Sequence, residues 1–428
     1  MTKLASPWSR LVIASFVIVT LSSSHVSGQE NFLDRAQRLL SEVPLIDGHN
    51  DVPWQYRIRV DNHLDQIDLA GDTSELTPPM HTDLARLRKG LVGGQFWSVY
   101  IPSSMDGPGA ARAVFEQIDV VHRLIERYPD ALELALTAVD IERIHAAGKV
   151  ASLIGMEGGH SIENSLAVLR ETYGRGARYM TLTHGRNVAW ADACSDVPVH
   201  HGLSRFGEEV VREMNRLGML VDISHVSAET MHDVLDMSDA PVFFSHSSAR
   251  GVVDHRRNVP DDVLRRLPEN GGVVMVNFVP YFISEGARQD NAATFAERSR
   301  FGRLYPHDPE RQQRELEAWR RENPLVRATL EQVVDHIDHI RRVAGIDHIG
   351  LGSDFDGLVN GPIGLEDVSK YPNLIAELLR RGYSDADARK VAGMNALRVL
   401  RETEWVAARL QKERPPSDAL ISELDGPR

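Results

Sequence analysis

The sequence is short of three things: cysteine, net positive charge and long apolar runs. Cys194 is the only cysteine, so no intrachain disulfide can form, and stability must come from the core or from bound metal. The formal net charge of -13 argues against a nucleic-acid partner, because such binding depends on Lys and Arg side chains that neutralise phosphates. Beyond the N-terminus, no apolar run is long enough to predict a membrane span. We therefore expect a globular protein that binds small molecules.

The N-terminus has the pattern of a secretory signal. Lys3 and Arg10 precede the apolar run "LVIASFVIVTL", and the small, polar segment "SSSHVSGQE" follows it. We predict a signal peptide over residues 1–28, cleaved near Gly28, with an uncleaved anchor as the alternative. The C-terminal stretch "SDALISELDGPR" lacks the hydrophobic tail that a lipid-anchor signal needs. We therefore expect a secreted or periplasmic protein without a stable membrane anchor.

Short β-branched runs alternate with segments of helical periodicity along the rest of the chain. Eight candidate strands are found: "VPLIDGH", "VGGQFWSVYI", "VASLIGMEGG", "ARYMTLTH", "MLVDISH", "APVFFSH", "GGVVMVNF" and "HIGLGSDF". This alternation predicts an α/β fold, a (β/α)8 TIM-type barrel over residues 29–410, with its active site at the C-terminal ends of the strands. A doubly wound open sheet is the alternative. Residues 411–428 are predicted to be a polar C-terminal extension.

A long segment rich in Arg and Glu, residues 284–331, follows the seventh candidate strand. Connections of this length seldom lack secondary structure, so we expect part of it to be helical. In a barrel this insert would lie on the catalytic face. Our hypothesis is that it shapes substrate access, so that trimming Asp290 to Asn323 changes substrate preference more than stability.

Side chains that can bind metal stand at the ends of six of the eight candidate strands. They are His49 and Asp51 at the first, Glu157 at the third, His184 at the fourth, His225 at the fifth, His246 at the sixth and Asp354 at the eighth. In a barrel these ends converge, and the carboxylates would repel one another there without a cation. Histidine and carboxylate ligands without cysteine suit Zn²⁺, and more than four of them suit two ions.

Two ions in one pocket predict a hydrolase. Glu157 is the best candidate for a bridge, since each of its carboxylate oxygens can hold one ion. A metal pair would lower the pKa of a shared water, giving a bridging hydroxide at neutral pH, and would polarise a substrate carbonyl. Asp354 can pass the proton of the nucleophile to a leaving amine, but spacing alone does not separate it from Asp356.

Two further assignments stay open on spacing alone. His184 is able to donate to a developing oxyanion, and it fits equally well as a ligand or as a supporting residue. Arg256 and Arg257 closely follow the sixth candidate strand and precede a helix start. Basic residues in such a place are usually solvated, and the alternative is that one of them binds a substrate carboxylate in a bidentate contact.

The chain resembles the renal, or membrane, dipeptidase family of zinc metallopeptidases, which belongs to the amidohydrolase superfamily. The matching blocks are "LIDGHNDVPW", "GMEGGHSIENSLAVLR", "YMTLTHGRNVAWAD", "GLSRFGEEVVREMNRLGMLVDISHVS", "PVFFSHSSA", "RRNVPDDVLR", "VMVNF" and "GSDFDGL". They span nearly the whole chain after the signal. The resemblance implies a (β/α)8 barrel that holds two zinc ions per subunit.

The resemblance also implies a set of ligands. One zinc ion would be held by His49, Asp51 and Glu157. The other would be held by Glu157, His225 and His246. Glu157 takes the bridging place that a modified lysine fills in many amidohydrolases.

Three more residues match family positions that handle the substrate. His184 would contact the substrate carbonyl and stabilise the transition state, Arg257 would bind the terminal carboxylate, and Asp354 would be the acid/base. A substrate-contacting tyrosine falls at Tyr281 or Phe282, depending on the alignment. A carboxylate contact at Arg257 explains a limit to dipeptides, because a longer peptide places an amide there.

The resemblance implies an enzyme that hydrolyses dipeptides, often with a D-residue at the C-terminal position. Some members open the β-lactam of carbapenems, so a related amidohydrolase that acts on another amide or on a β-lactam is the alternative. A metal-holding binding protein without catalysis is a third, from another class. The mammalian members are lipid-anchored, disulfide-linked dimers, whereas this chain has one cysteine. A homodimer is therefore an expectation from the family alone.

Overall fold

Eight parallel strands close into a barrel. The structure is a computed structural model that describes residues 31–426. Its strands are β1 Leu45–Asn50, β2 Val92–Tyr100, β3 Leu132–Leu134, β4 Val150–Glu157, β5 Ala177–Thr181, β6 Leu220–Asp222, β7 Phe243–Phe244, β8 Val273–Val276 and β9 Ile349–Leu351. The order β2-β1-β9-β8-β7-β6-β5-β4 becomes a ring because β2 also pairs with β4. The predicted (β/α)8 barrel is confirmed, and the open-sheet alternative is wrong.

The remaining strand, β3, was not among the eight predicted strands. It pairs with Val150–Ser152, at the start of β4, on the side that β5 occupies further along. Its three residues are too few to show a period-two pattern, so the sequence gives no signal for it. All eight predicted strands are present.

Helices alternate with the strands along the chain, beginning with α1 before β1. They are α1 Phe32–Glu42, α2 Val52–Val60, α3 Leu84–Lys89, α4 Ala110–Arg127, α5 Ala138–Ala146, α6 Leu166–Gly174, α7 Arg205–Leu217, α8 Ala228–Met237, α9 Asp261–Leu264, α10 Leu267–Asn270, α11 Pro280–Ile283, α12 Glu285–Leu304, α13 Pro309–Glu322, α14 Leu330–Val343, α15 Tyr371–Arg380, α16 Asp385–Arg389, α17 Asn395–Glu413 and α18 Ile421–Leu424. None of the helices in residues 31–426 combines the length and apolarity needed to span a membrane.

Helix α7 shows why the predicted helical segments form. The Ser204 side chain accepts a hydrogen bond from the backbone N–H of Gly207 and so caps the first turn. Gly218 ends the helix with a left-handed φ of 86°, which glycine adopts without a steric cost. Between these ends, Phe206, Val210 and Met214 recur at helical spacing and are buried.

Aromatic rings fill the barrel interior beneath the C-terminal strand ends. The Tyr179 ring lies 5.2 Å from Phe96 and 5.9 Å from Phe243, measured between ring centroids. Gly155 makes room for this layer, because a Cβ at that position would lie 2.0 Å from Cζ of Tyr179. The Tyr179 hydroxyl reaches Nδ1 of His49 in β1, so this layer contacts the residues at the strand ends.

The insert consists largely of helices. Helix α12 and helix α13 run through it, and Arg320 contacts both carboxylate oxygens of Asp290 at 2.7 and 2.9 Å to join them. The segment after α17 packs back on α7, where Asp425 accepts a hydrogen bond from the backbone N–H of Phe206. The predicted signal peptide, residues 1–28, lies outside the described residues, and the domain boundaries stay predictions.

Candidate active site

The C-terminal ends of all eight barrel strands meet at one place. Six of these ends bring the predicted residues there: His49 and Asp51 from β1, Glu157 from β4, His184 from β5, His225 from β6, His246 from β7 and Asp354 from β9. The other two ends supply Tyr100 of β2 and Asn277 after β8. The fold therefore converts scattered sequence positions into one cluster.

Glu157 lies at the centre of the cluster, and its two oxygens face different partners. Its Oε2 lies 3.6 Å from Nε2 of His49, while Oε1 lies 3.1 Å from Nε2 of His225 and 3.3 Å from Nε2 of His246. His49 Nε2 is also 3.4 Å from Oδ2 of Asp51. One carboxylate thus stands between two groups of potential ligand atoms.

Burial and charge set the protonation of these groups. Burial raises the pKa of Glu157 and, to about 7, the pKa of Asp354. Burial alone would lower the pKa of His49, but the carboxylates of Glu157 and Asp51 raise it to about 10. Burial lowers the pKa of His246 well below its usual value, and the neighbouring His49 and Arg257 lower it further.

The donor set fits divalent cations. Three groups of side chains bring nitrogen and oxygen atoms within 4.8 Å of one another: His49, Glu157 and His246; Glu157, His184 and His225; and His49, Asp51 and Asp354. His49 Nε2 is buried with no hydrogen-bond partner among the described residues, although it faces two carboxylates. A cation would satisfy that nitrogen and offset the repulsion among the carboxylates.

Hydrogen bonds behind the cluster orient two of its histidines. The Tyr179 hydroxyl lies 2.8 Å from Nδ1 of His49, and the Ser245 hydroxyl lies 2.7 Å from Nδ1 of His246. Both contacts leave the Nε2 atoms directed at Glu157. Sequence reasoning missed these supporting residues, because Tyr179 looks like an ordinary strand residue until the barrel closes.

A second feature that sequence reasoning missed is a buried acid inside an apolar strand. Asp47 is fully buried and accepts hydrogen bonds from the backbone N–H and the hydroxyl of Ser353, at 2.8 and 2.7 Å, and from the Tyr371 hydroxyl at 2.7 Å. These bonds tie β1, which carries His49, to the segment that leads into Asp354. The signal in the sequence is a carboxylate at a strand position that should be apolar.

Asp354 and Asp356 have different surroundings, although they are two residues apart. Asp354 belongs to the cluster, and its Oδ2 accepts a hydrogen bond of 3.1 Å from the side-chain amide of Asn277. Asp356 accepts a hydrogen bond of 2.7 Å from the backbone N–H of His81. A Cβ on Gly357 would lie 2.2 Å from Oδ2 of Asp51 and 2.6 Å from Oδ1 of Asp354, so only glycine fits beside those two carboxylates.

His184 and Arg257 lie beside the cluster. The His184 ring packs against the rings of Tyr100 and His225, with centroid distances of 4.8 and 4.4 Å. Burial, followed by the charge of Arg257, lowers the pKa of His184 to about 3, so its ring is neutral at neutral pH. The Arg257 guanidinium is buried and donates to the His246 carbonyl at 3.0 Å and to the Ser247 hydroxyl at 3.2 Å.

A cavity of about 680 Å³ opens onto the cluster, a volume typical of small-molecule sites. Trp54 and Tyr100 line it near the strand ends. Tyr281 and Phe282 both line it as well, so the open choice between them is not decided by position. The insert also lines the cavity, through Asp290, Asn291, Thr294, Arg298, Arg320 and Arg327.

Comparisons with protein families and with individual relatives both match this chain to dipeptidases. The model of a family described as "Membrane dipeptidase (Peptidase family M19)" matches residues 33–414. The relative "Dipeptidase tcpJ" from Claviceps purpurea (strain 20.1) is 41% identical over 422 residues, which cover 92% of this chain and 89% of that protein.

Two solved structures of peptidases are similar to this chain in both fold and sequence. The probable dipeptidase PvdM from Pseudomonas aeruginosa is 27% identical, with a TM-score of 0.74 over 88% of this chain and 99% of that chain. A metallopeptidase from Rhodobacter sphaeroides, solved with a phosphinate mimic of the dipeptide L-Ala-D-Ala, is also 27% identical. Its TM-score is 0.67, and the match covers 84% of this chain and 99% of that chain.

Proposed function

Since the chain belongs to the membrane dipeptidase family and is a metallo-dipeptidase, we propose that it is an exported, zinc-dependent enzyme that hydrolyses dipeptides, including those with a C-terminal D-residue. The observation that carries the proposal is the position of Glu157. Its Oε2 faces His49, and its Oε1 faces His225 and His246, so one carboxylate serves two groups of ligand atoms.

Two zinc ions would share Glu157 as a ligand. His49 and Asp51 would complete one set of protein ligands, and His225 and His246 would complete the other. When bound, the ions would lower the pKa of a shared water to supply the attacking hydroxide and would polarise the scissile carbonyl. The nitrogen and oxygen donors of the cluster suit zinc, and cysteine is not required.

Asp354 would move the proton. Burial raises the pKa of its carboxyl to about 7, which suits a group that takes a proton from the nucleophile and gives it to the leaving amine. The amide of Asn277 donates to Oδ2, which fixes the orientation of the carboxylate. His184, neutral at its strand end, would donate to the oxygen of the scissile carbonyl as charge develops there.

Arg257 would recognise the end of the substrate. Its guanidinium lines the cavity, and its contacts with the Ser247 hydroxyl and the His246 carbonyl use only two of its N–H groups. A terminal carboxylate would accept charge-assisted hydrogen bonds from N–H groups that face the cavity, whereas the internal amide of a longer peptide lacks that charge. The relative bound to an L-Ala-D-Ala mimic supports dipeptides with a C-terminal D-residue as substrates to test first.

The test is amino-acid release from L-L and L-D dipeptides, a tripeptide and an N-acetyl dipeptide, with a chelator and then with added zinc. We expect cleavage of the dipeptides alone, lost with chelator and restored by zinc. Cleavage that survives chelation in protein shown to be free of metal would contradict the proposal. The cavity of about 680 Å³ has room for a substrate larger than a dipeptide, so a carbapenem in the same panel tests a second candidate, a related amidohydrolase acting on another amide or on a β-lactam.

We also propose that the protein is exported and that it forms a homodimer. The N-terminal pattern over residues 1–28 supports a secreted or periplasmic location. Sequencing the N-terminus of protein recovered from outside the cytoplasm should give a start near Gln29, and an intact Met1 in the cytosolic fraction would contradict export. Sedimentation of the zinc-loaded protein tests the homodimer that the family suggests.

A further inference from the structure

A fully buried carboxylate lies behind the cluster and contacts one of its histidines through a hydroxyl. Asp222, the last residue of β6, accepts hydrogen bonds at Oδ1 from the backbone N–H groups of Ser224 and Ser245, at 3.0 and 2.9 Å. Its Oδ2 accepts from the Thr181 hydroxyl and, at 2.6 Å, from the Ser245 hydroxyl. The Ser245 oxygen lies 2.7 Å from Nδ1 of His246.

The direction of these hydrogen bonds follows from the chemistry of the groups. The two Asp222 carboxylate oxygens accept hydrogen bonds from four N–H and O–H donors, the Ser245 hydroxyl among them. The Ser245 hydroxyl has one hydrogen, and Asp222 uses it. The contact between Ser245 and His246 can then form only if Nδ1–H of the ring donates to the hydroxyl oxygen.

We propose that Asp222 is a positioning residue that acts through Ser245 to hold His246 as the Nδ1–H tautomer, with the lone pair of Nε2 directed at the metal site. Nε2 of His246 lies 3.3 Å from Oε1 of Glu157, on the side where the ligand atoms meet. Metal-binding histidines commonly donate their second ring N–H to a carboxylate or carbonyl. Here a serine hydroxyl relays that role. The inference rests on the proposed function, since it concerns a metal ligand.

A purely structural role for Asp222 is the competing explanation. Asp222 also joins three strands, because its partners Thr181, Ser224 and Ser245 belong to β5, to the end of β6 and to the end of β7. The relay from Asp222 through Ser245 to His246 predicts an effect that the joining of strands does not. Removal of the Ser245 hydroxyl alone, with the backbone hydrogen bonds intact, should change the tautomer of His246.

The first test is nitrogen NMR of the metal-free protein labelled with ¹⁵N-histidine, with the His246 signal assigned from a His246→Gln variant. We expect the Nδ1–H tautomer in the wild type and a mixture of tautomers in Ser245→Ala. Asp222→Asn should shift the ring towards Nε2–H, because the asparagine amide can donate to Ser245 and free its hydroxyl to donate to Nδ1. The matched control is Ser248→Ala, whose buried hydroxyl contacts the Asn277 carbonyl instead.

The second test is zinc affinity, measured by competition with a chromogenic chelator. We expect Ser245→Ala to bind zinc about 10- to 100-fold more weakly, Ser248→Ala to match the wild type, and the double variant with Asp222→Asn to lose no more than the larger single loss. An unchanged tautomer and affinity in Ser245→Ala would overturn the relay, as would an equal loss in Ser248→Ala. If Asp222→Asn does not fold, Ser245→Ala alone decides.

These measurements use no peptide. Failure of the proposed substrate would therefore leave a confirmed relay standing, and failure of the relay would leave dipeptide hydrolysis standing.

Discussion

At the residue scale, Glu157 is a buried carboxylate and Asp354 a half-buried one, and they contact different groups. Glu157 places its oxygens within 3.6 Å of three histidines. Asp354 accepts a hydrogen bond from Asn277 and has a pKa raised to about 7 by burial. Substitutions at the two positions should therefore separate metal binding from proton transfer.

We expect Asp354→Asn to retain zinc and to lower kcat by about 100-fold or more, because an amide cannot carry the proton to the leaving amine. Glu157→Ala should lose zinc as well as activity, since it removes the ligand that the two groups share. Steady-state kinetics, together with metal content after gel filtration, measures both effects. Turnover close to wild type in Asp354→Asn, or full zinc content in Glu157→Ala, would contradict the assigned roles.

A substitution at Arg257 tests how the enzyme recognises the terminal carboxylate of its substrate. Arg257→Gln should raise KM for dipeptides by about 10- to 100-fold, because it removes charged hydrogen bonds to the terminal carboxylate. Dipeptide amides, which lack that carboxylate, should change little. Arg256→Gln, at the neighbouring and exposed position, is the matched control. A similar rise for dipeptides and their amides would show that Arg257 does not recognise the carboxylate.

At the element scale, the insert adds an outer wall to the cavity. Its two long helices are held together by the contact between Arg320 and Asp290, and both residues line the cavity. Arg298 of α12 and Arg327 after α13 line it too, so this wall carries more positive than negative charge. Arg257 lines the same cavity as the insert, and its guanidinium lies 5.4 Å from the ring centre of Phe282, just before the insert begins.

We expect this wall to favour dipeptides with an acidic C-terminal side chain. Arg298→Glu should lower kcat/KM for such dipeptides by about tenfold relative to dipeptides with a C-terminal lysine, and less at high salt. Arg303→Glu, an exposed position on the same helix that lies outside the cavity lining, is the control. The broader hypothesis is tested by trimming Asp290 to Asn323, and unchanged kinetics in the trimmed enzyme would contradict it.

At the scale of the whole molecule, one buried histidine makes stability depend on pH. His336 on α14 accepts a hydrogen bond at Nδ1 from the backbone N–H of Ala249 and donates from Nε2 to the Ile283 carbonyl, at 3.0 and 3.2 Å. Burial lowers its pKa to about 4. The folded protein therefore holds this ring neutral, because a proton on Nδ1 would face the Ala249 N–H.

The sign of the pH effect follows from that shift. Between pH 6.5 and about 4 the unfolded chain binds a proton at His336 that the folded protein does not, so this group contributes stability above pH 6.5 that is lost as the pH falls to about 4. The full loss is about 3 kcal/mol. The difference in unfolding free energy between wild type and His336→Gln, measured by urea titration of the zinc-loaded proteins, should change across that window. A constant difference would contradict the assignment, and metal loss at low pH cancels because both proteins share it.

The sequence determined the chemistry and most of the architecture. Apolar runs alternating with helical periodicity predicted the eight barrel strands, since both patterns are local. The residues that meet in the cluster stood out because histidines and carboxylates ended those runs. The missed strand, Leu132–Leu134, was too short to show a period.

Only the tertiary structure decided what depends on contacts between distant residues. Two residues apart on an extended chain, Asp354 and Asp356 should face the same way, yet both have left-handed φ angles, 67° and 65°, so the alternation fails and they separate. Three other features join strands that are separated in the sequence. The two oxygens of Glu157 contact histidines from different strands, Asp222 accepts hydrogen bonds from neighbouring strands, and β2 pairs with β4 to close the ring. No local pattern encodes such pairings, because they form only when the barrel brings its strand ends together.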